Sequence, residues 1–210
     1  MAEHRPRKVG SRLSRVGTSA MPGVDANAAD DLRFIRQTLE RSSTFTAVPG
    51  WGMVAVGVSA LPAAWFAAPH AFSFRWLEIW LAEAALAVSL SIVAIQSKAA
   101  RNGLPWTSGP GRKVAMGIAP PVIAAALLTI PLYRAGLSMF LPGTWLLLYG
   151  VGLVSGGAYS VAVIPLMGAT FMAAGAVALF VPGGANWAMA AGFGVLHTLF
   201  GIWIARRHGG

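Results

Sequence analysis

The sequence predicts an all-α membrane protein: a six-transmembrane-helix bundle preceded by a disordered basic tail and a short amphipathic interfacial helix. Three observations carry that expectation. From Ala135 to Ala205 there is no Lys, Arg, Asp or Glu, and a soluble surface is not built without charge. The whole chain is 56% hydrophobic and only 11% charged, with a mean hydropathy of +0.63. Its basic residues fall in the tail and in short segments between apolar runs, the distribution that sets the orientation of a membrane protein.

The expected organisation is a tail over 1–28, an interfacial helix over 29–44 and a transmembrane domain over 45–210. Arg5, Arg7, Lys8, Arg12 and Arg15 stand among Gly, Ser, Pro and Val without apolar periodicity, so the tail is read as disordered and drawn to anionic lipid. From Asp30 to Arg41 the pattern changes. Asp30 and Asp31 suit a helix N-terminus, and Leu32, Ile35 and Leu39 share one face. That face suits a membrane surface or a cytoplasmic protein partner.

Six apolar runs follow. A bilayer core of about 30 Å needs about 20 helical residues, and each run is near that length. The first is 46–68, with Pro62 inside it, and the second is 77–97. A basic loop over 98–113 precedes the third, 114–133, whose Pro120 and Pro121 are expected to distort the helix. The stretch 136–140 reads as an outer turn or a partly re-entrant piece. The fourth run is 141–159, where Gly152 and Gly156 stand four apart and admit a neighbouring helix. The fifth is 160–181 and the sixth 186–205.

Orientation follows from charge. With the N-terminus inside, fourteen Lys and Arg lie on the cytoplasmic side, and only Arg75 and Arg134 lie outside. This places both termini in the cytoplasm. Trp51, Trp106 and Trp203 then fall at the inner boundary, and Trp65, Trp76, Trp80, Trp145 and Trp187 at the outer one.

Chemistry-bearing residues within the runs are few. Glu83 lies deep in the second, where an ionised carboxylate is costly unless it faces protein or finds a donor. On the sixth, Ala190, Gly194, His197, Gly201 and Ala205 share one sector, with Met189, Leu196, Phe200 and Trp203 roughly opposite. Small residues mark the packed side, so His197 is expected to face protein. Glu83, His197 and Tyr149 form the candidate intramembrane polar site. Gly152, Gly156, Ala190, Gly194 and Gly201 are the candidate helix-packing positions. The chain has no Cys, which excludes thiolate chemistry and disulfides. No hydrolase, metalloprotease or phosphate-loop pattern is present, and no second His lies within a run. No catalytic residue, metal or cofactor is therefore expected.

The segments LPGTWLLLYG (141–150), SVAVIPLMG (160–168), GFGVLHTLFGIWIARRHGG (192–210) and FTAVPGWG (45–52) resemble segments of uncharacterised bacterial polytopic inner-membrane proteins. The resemblance covers the membrane region but not the tail. It implies a bacterial inner membrane and assigns no residue a role.

The functional expectation is a non-catalytic membrane protein with a cytoplasmic partner or regulatory role. The alternative is a small transporter or channel with a polar path through Glu83 and His197. The expected partners are the lipid bilayer, a cytoplasmic protein met through residues 1–44, and a second copy of the chain. Nucleic acid is not expected.

Overall fold

A computed structural model describes residues 30–35, 45, 48–101 and 109–208. Contacts divide the chain into two units, Met1–Leu39 and Glu40–Gly210. Among the described residues of the second unit, six helices are long and apolar enough to cross a membrane. They are α1 (Gly50–Ala67), α2 (Phe74–Arg101), α3 (Gly109–Arg134), α4 (Leu141–Gly157), α5 (Val163–Phe180) and α6. The last is built from Ala185–Met189, a π-helical Ala190–Leu196 and His197–His208. No strand occurs among the described residues, only an isolated parallel bridge between Phe45 and Ser160.

These helices form from sequences rich in Ala, Leu, Val and Gly because their polar groups are satisfied within the helix. Ser89, Ser91 and Ser97 donate to the carbonyls of Ala85, Ala87 and Val93, and Thr129, Thr144 and Thr198 do likewise to residues four earlier. A hydroxyl bonded in this way can lie on an apolar helix without an unpaired donor. Helix α3 continues through Pro120, Pro121 and Pro131, and α1 through Pro62.

The helices form two groups. Helix α1 packs against α2 and α6, while α4 packs against α3 and α5. Each central helix runs antiparallel to its two neighbours, and the two central helices point in opposite directions. Glycines fix the closest pairs. Gly143 and Gly150 on α4 meet Gly175 and Gly168 on α5, and Gly50 and Gly57 on α1 meet Gly201 and Gly194 on α6. Within each helix the two glycines are seven residues apart, about two turns, so they fall on one face. A Cβ on Gly150 would lie 2.6 Å from the carbonyl oxygen of Gly168, and one on Gly201 2.7 Å from the amide nitrogen of Val54. Gly152 and Gly156 turn to the other neighbour, against Ile118 and Val114 of α3, and Ala190 is half-buried against the core.

Several boundaries and faces differ from the sequence reading. Lys98 belongs to the last turn of α2 rather than to a loop. It is buried, and its Nζ donates to the carbonyl of Val48 at 2.8 Å. Trp76 and Trp80 face the inside of the bundle, 0% and 3% exposed, whereas Trp65 and Trp187 stay exposed. Met189 and Phe200 are buried, not on the outer face. Phe200 follows His197 by three residues in the same α-helical segment, about 60° round the helix from it, so the two flank one buried side. Residues 136–140 form a turn with Gly136 at φ +72° and a 3₁₀ segment Ser138–Phe140 leading into α4. Trp106 lies outside the described residues.

One joint ties the chain ahead of α1 to the bundle. The Phe45 amide donates to the carbonyl of Tyr159 at 2.8 Å, and Ser160 Oγ donates to the carbonyl of Phe45 at 2.8 Å. Phe45 and Val48 are both buried. The segment is thus held by the α4–α5 turn at one point and by Lys98 of α2 at another.

In the first unit, residues 30–35 are helical. Arg33 pairs with Asp30 at 3.0 Å, and Leu32, Phe34 and Ile35 are exposed. The remainder of the expected tail and interfacial helix lies outside the described residues.

Candidate functional site

The polar residues singled out by sequence occupy two places. Tyr149 on α4 and His197 on α6 are together, with Oη 2.8 Å from Nε2. Glu83 is elsewhere, in a groove between α1 and α2 whose lining includes neither of them.

The Tyr149–His197 pair lies where the two helix groups meet. Phe171 of α5 and Phe193 of α6 complete a cluster of four rings. The His197 ring centroid is 5.1 Å from that of Phe171, edge-on, and 6.0 Å from that of Phe193, stacked. Tyr149 is 5.0 Å from Phe171 and 5.4 Å from Phe193. The π-helical stretch carries Phe193 and ends just before His197, so it sets how both rings enter the cluster. His197 is 3% exposed and Tyr149 half-buried. His197 Nδ1 is buried and has no hydrogen-bond partner among the described residues. The tautomer sets the direction of the bond: the Tyr149 hydroxyl donates to Nε2 when the ring proton is on Nδ1, and accepts from Nε2 when it is there.

From this cluster the aromatic contacts run on towards the turns. Phe193 touches Trp80, Trp80 touches Trp76, and Trp76 stacks on Trp145 at 5.6 Å and 18°. Two of these indoles are anchored. Trp76 Nε1 donates to Asn186 Oδ1 at 2.8 Å, and Trp145 Nε1 donates to Thr129 Oγ1 at 2.9 Å. Trp80 Nε1 is buried with no partner among the described residues. Chemically, the arrangement can hold an imidazole and a phenol in one mutual orientation through their hydrogen bond.

The groove around Glu83 has a volume of about 440 Å³ and is lined by Ala63, Phe66, His70, Arg75, Ile79, Ala82, Glu83 and Leu86. Glu83 is buried, and Ser59 Oγ lies 2.8 Å from its Oε1 and 3.0 Å from the Val56 carbonyl. Arg75 pairs with Glu78 at 3.4 Å, both side chains being largely exposed.

Sequence reasoning did not find Phe171, Phe193, Trp80 or Ser59. The one local signal was the i, i+4 spacing of Phe193 and His197, which stacks two flat rings on one helix. The other partners come from distant helices. Comparison with family models, curated proteins and solved structures found no match.

Proposed function

We propose that the chain is a multi-pass integral protein of a bacterial inner membrane, both termini cytoplasmic, that does no catalysis and serves a partner-binding or regulatory role through residues 1–44. The joint at Phe45 carries this reading. A partner held by residues 1–44 pulls on a segment bonded to the α4–α5 turn through Tyr159 and Ser160 and to α2 through Lys98. Force or ordering in the tail therefore reaches both helix groups. The membrane setting is supported by the six apolar helices and by the charge bias. The test is photo-crosslinking in intact membranes, with the probe at Phe34 of the full chain. A defined protein adduct whose yield changes in Ser160→Ala supports the reading. Adducts to lipid alone sink it.

A second reading, a small transporter or channel, is favoured by one observation. Two three-helix groups with oppositely directed centres meet on Tyr149 and His197, and transporters commonly place polar sites between inverted halves. Because Glu83 lies in a separate groove, the path runs through the tyrosine and histidine alone. If Tyr149→Phe, His197→Ala and Glu83→Gln leave ion and proton flux in liposomes at the level of protein-free vesicles, as the unaltered chain also does, this reading fails.

A further inference from the structure

We propose that the groove between α1 and α2 is a binding site for one anionic phospholipid, drawn from the leaflet at the end of the bundle where the 68–73 turn lies. The inference rests on the membrane setting proposed above, but not on the partner role or the transport alternative.

The groove has a polar mouth, with the Arg75 guanidinium in it, and an apolar body. His70 and Arg75 stand at the turn, and Phe66, Ile79, Ala82 and Leu86 line the length below them. The residues Phe66, His70, Arg75, Ala82 and Leu86 are all exposed, so the groove opens sideways rather than into the bundle. Its length selects the occupant. From Arg75 to Leu86 the helix rises about 16 Å at about 1.5 Å per residue. That is close to half of a hydrocarbon core of about 30 Å, the depth of one leaflet. An amphiphile with its phosphate at His70 and Arg75 has its acyl chain in register with the apolar wall. A partner helix crossing the whole bilayer would run past the groove's inner end.

The charge arrangement adds a specific consequence. Arg75 already shares its guanidinium with Glu78 at 3.4 Å. A guanidinium has five donors, so it can hold a phosphate as well, but Glu78 competes with that phosphate and repels it. Glu83 sits about 12 Å below Arg75 along the helix, out of reach of a headgroup. Its Oε1 is engaged by Ser59, which lowers the cost of an apolar chain passing beside it.

Native mass spectrometry of the full chain in detergent, titrated with phosphatidylglycerol, phosphatidylcholine or inorganic phosphate, tests the proposal. One saturable phosphatidylglycerol is expected, bound at least fivefold more tightly than phosphatidylcholine, with inorganic phosphate not retained. His70→Ala/Arg75→Ala is expected to abolish the preference, and Glu78→Gln to tighten phosphatidylglycerol severalfold. Ala82→Trp, which fills an exposed part of the groove, is expected to block both lipids. Equal binding of the two phospholipids, retention of inorganic phosphate to the same degree, or full binding to Ala82→Trp overturns the site. Carbonate extraction of membranes separates this from the broader reading. A chain released by carbonate overturns the membrane setting itself, whereas an integral chain without lipid preference overturns only the groove.

Discussion

The hydroxyl of Tyr149 lies 2.8 Å from Nε2 of His197, and this contact is a side-chain hydrogen bond between the two helix groups at their shared face. Hydrogen bonds between apolar helices contribute modestly, because the separated helices also find partners. Tyr149→Phe is expected to destabilise the chain by about 0.5–2 kcal/mol, read from reversible unfolding in mixed micelles. A double-mutant cycle with His197→Leu should show coupling of the same order. Simple additivity of the two lesions would mean that the bond contributes nothing.

The glycine seams give a sharper contrast. A Cβ at Gly150 or Gly168 meets backbone of the facing helix under 3 Å away, whereas one at Gly183 or Gly184 meets nothing within 4 Å. Backbone cannot step aside as a side chain can. Gly150→Ala and Gly168→Ala should each cost about 1–3 kcal/mol through overpacking, and Gly183→Ala should be close to neutral. The same unfolding measurement ranks them, and equal effects at all sites would contradict the seam.

Gly136 isolates a different term. Its φ is +72°, and a Cβ there meets no atom within 4 Å. Gly136→Ala should therefore cost about 1 kcal/mol through backbone strain alone. An unchanged unfolding midpoint would show that the turn relaxes.

The joint ahead of α1 predicts a local effect rather than a global one. Ser160→Ala removes the bond to the Phe45 carbonyl but leaves the Phe45 amide bonded to Tyr159. Loss of one neutral hydrogen bond of about 1 kcal/mol should speed amide exchange at Phe45 by about three- to tenfold, with exchange in α4 unaffected. Equal exchange in both proteins would mean that the hydroxyl does not hold the segment.

Six helices were legible because an apolar run of that length, bounded by Arg75, Arg101, Arg134 or Arg206, states its own limits. Gly152 and Gly156 were legible because a spacing of four is local. The α1–α6 seam was not: Gly57 and Gly194 mark no contact until the topology brings them together. The burial of Trp76 and Trp80 was not legible, because a place near the end of an apolar run gives depth along the helix but not the face. Asn186 bonds the Trp76 indole and Trp145 stacks on it, both from other helices. The separation of Glu83 from His197 had the same cause. Depth along a helix can be estimated from sequence, but which side of the bundle a helix occupies depends on the order of packing.

That packing order bears on how the chain is made. The Gly143–Gly175 and Gly150–Gly168 contacts join consecutive helices, so both partners exist once α5 has been made. Helix α1 has a different history. Its glycine partner is α6, so Gly50 and Gly57 wait through the synthesis of four intervening helices with only α2 beside them. Assembly therefore finishes where it began, with α6 returning to α1. A nascent chain halted after α5 holds one completed three-helix group and one group still lacking its final member.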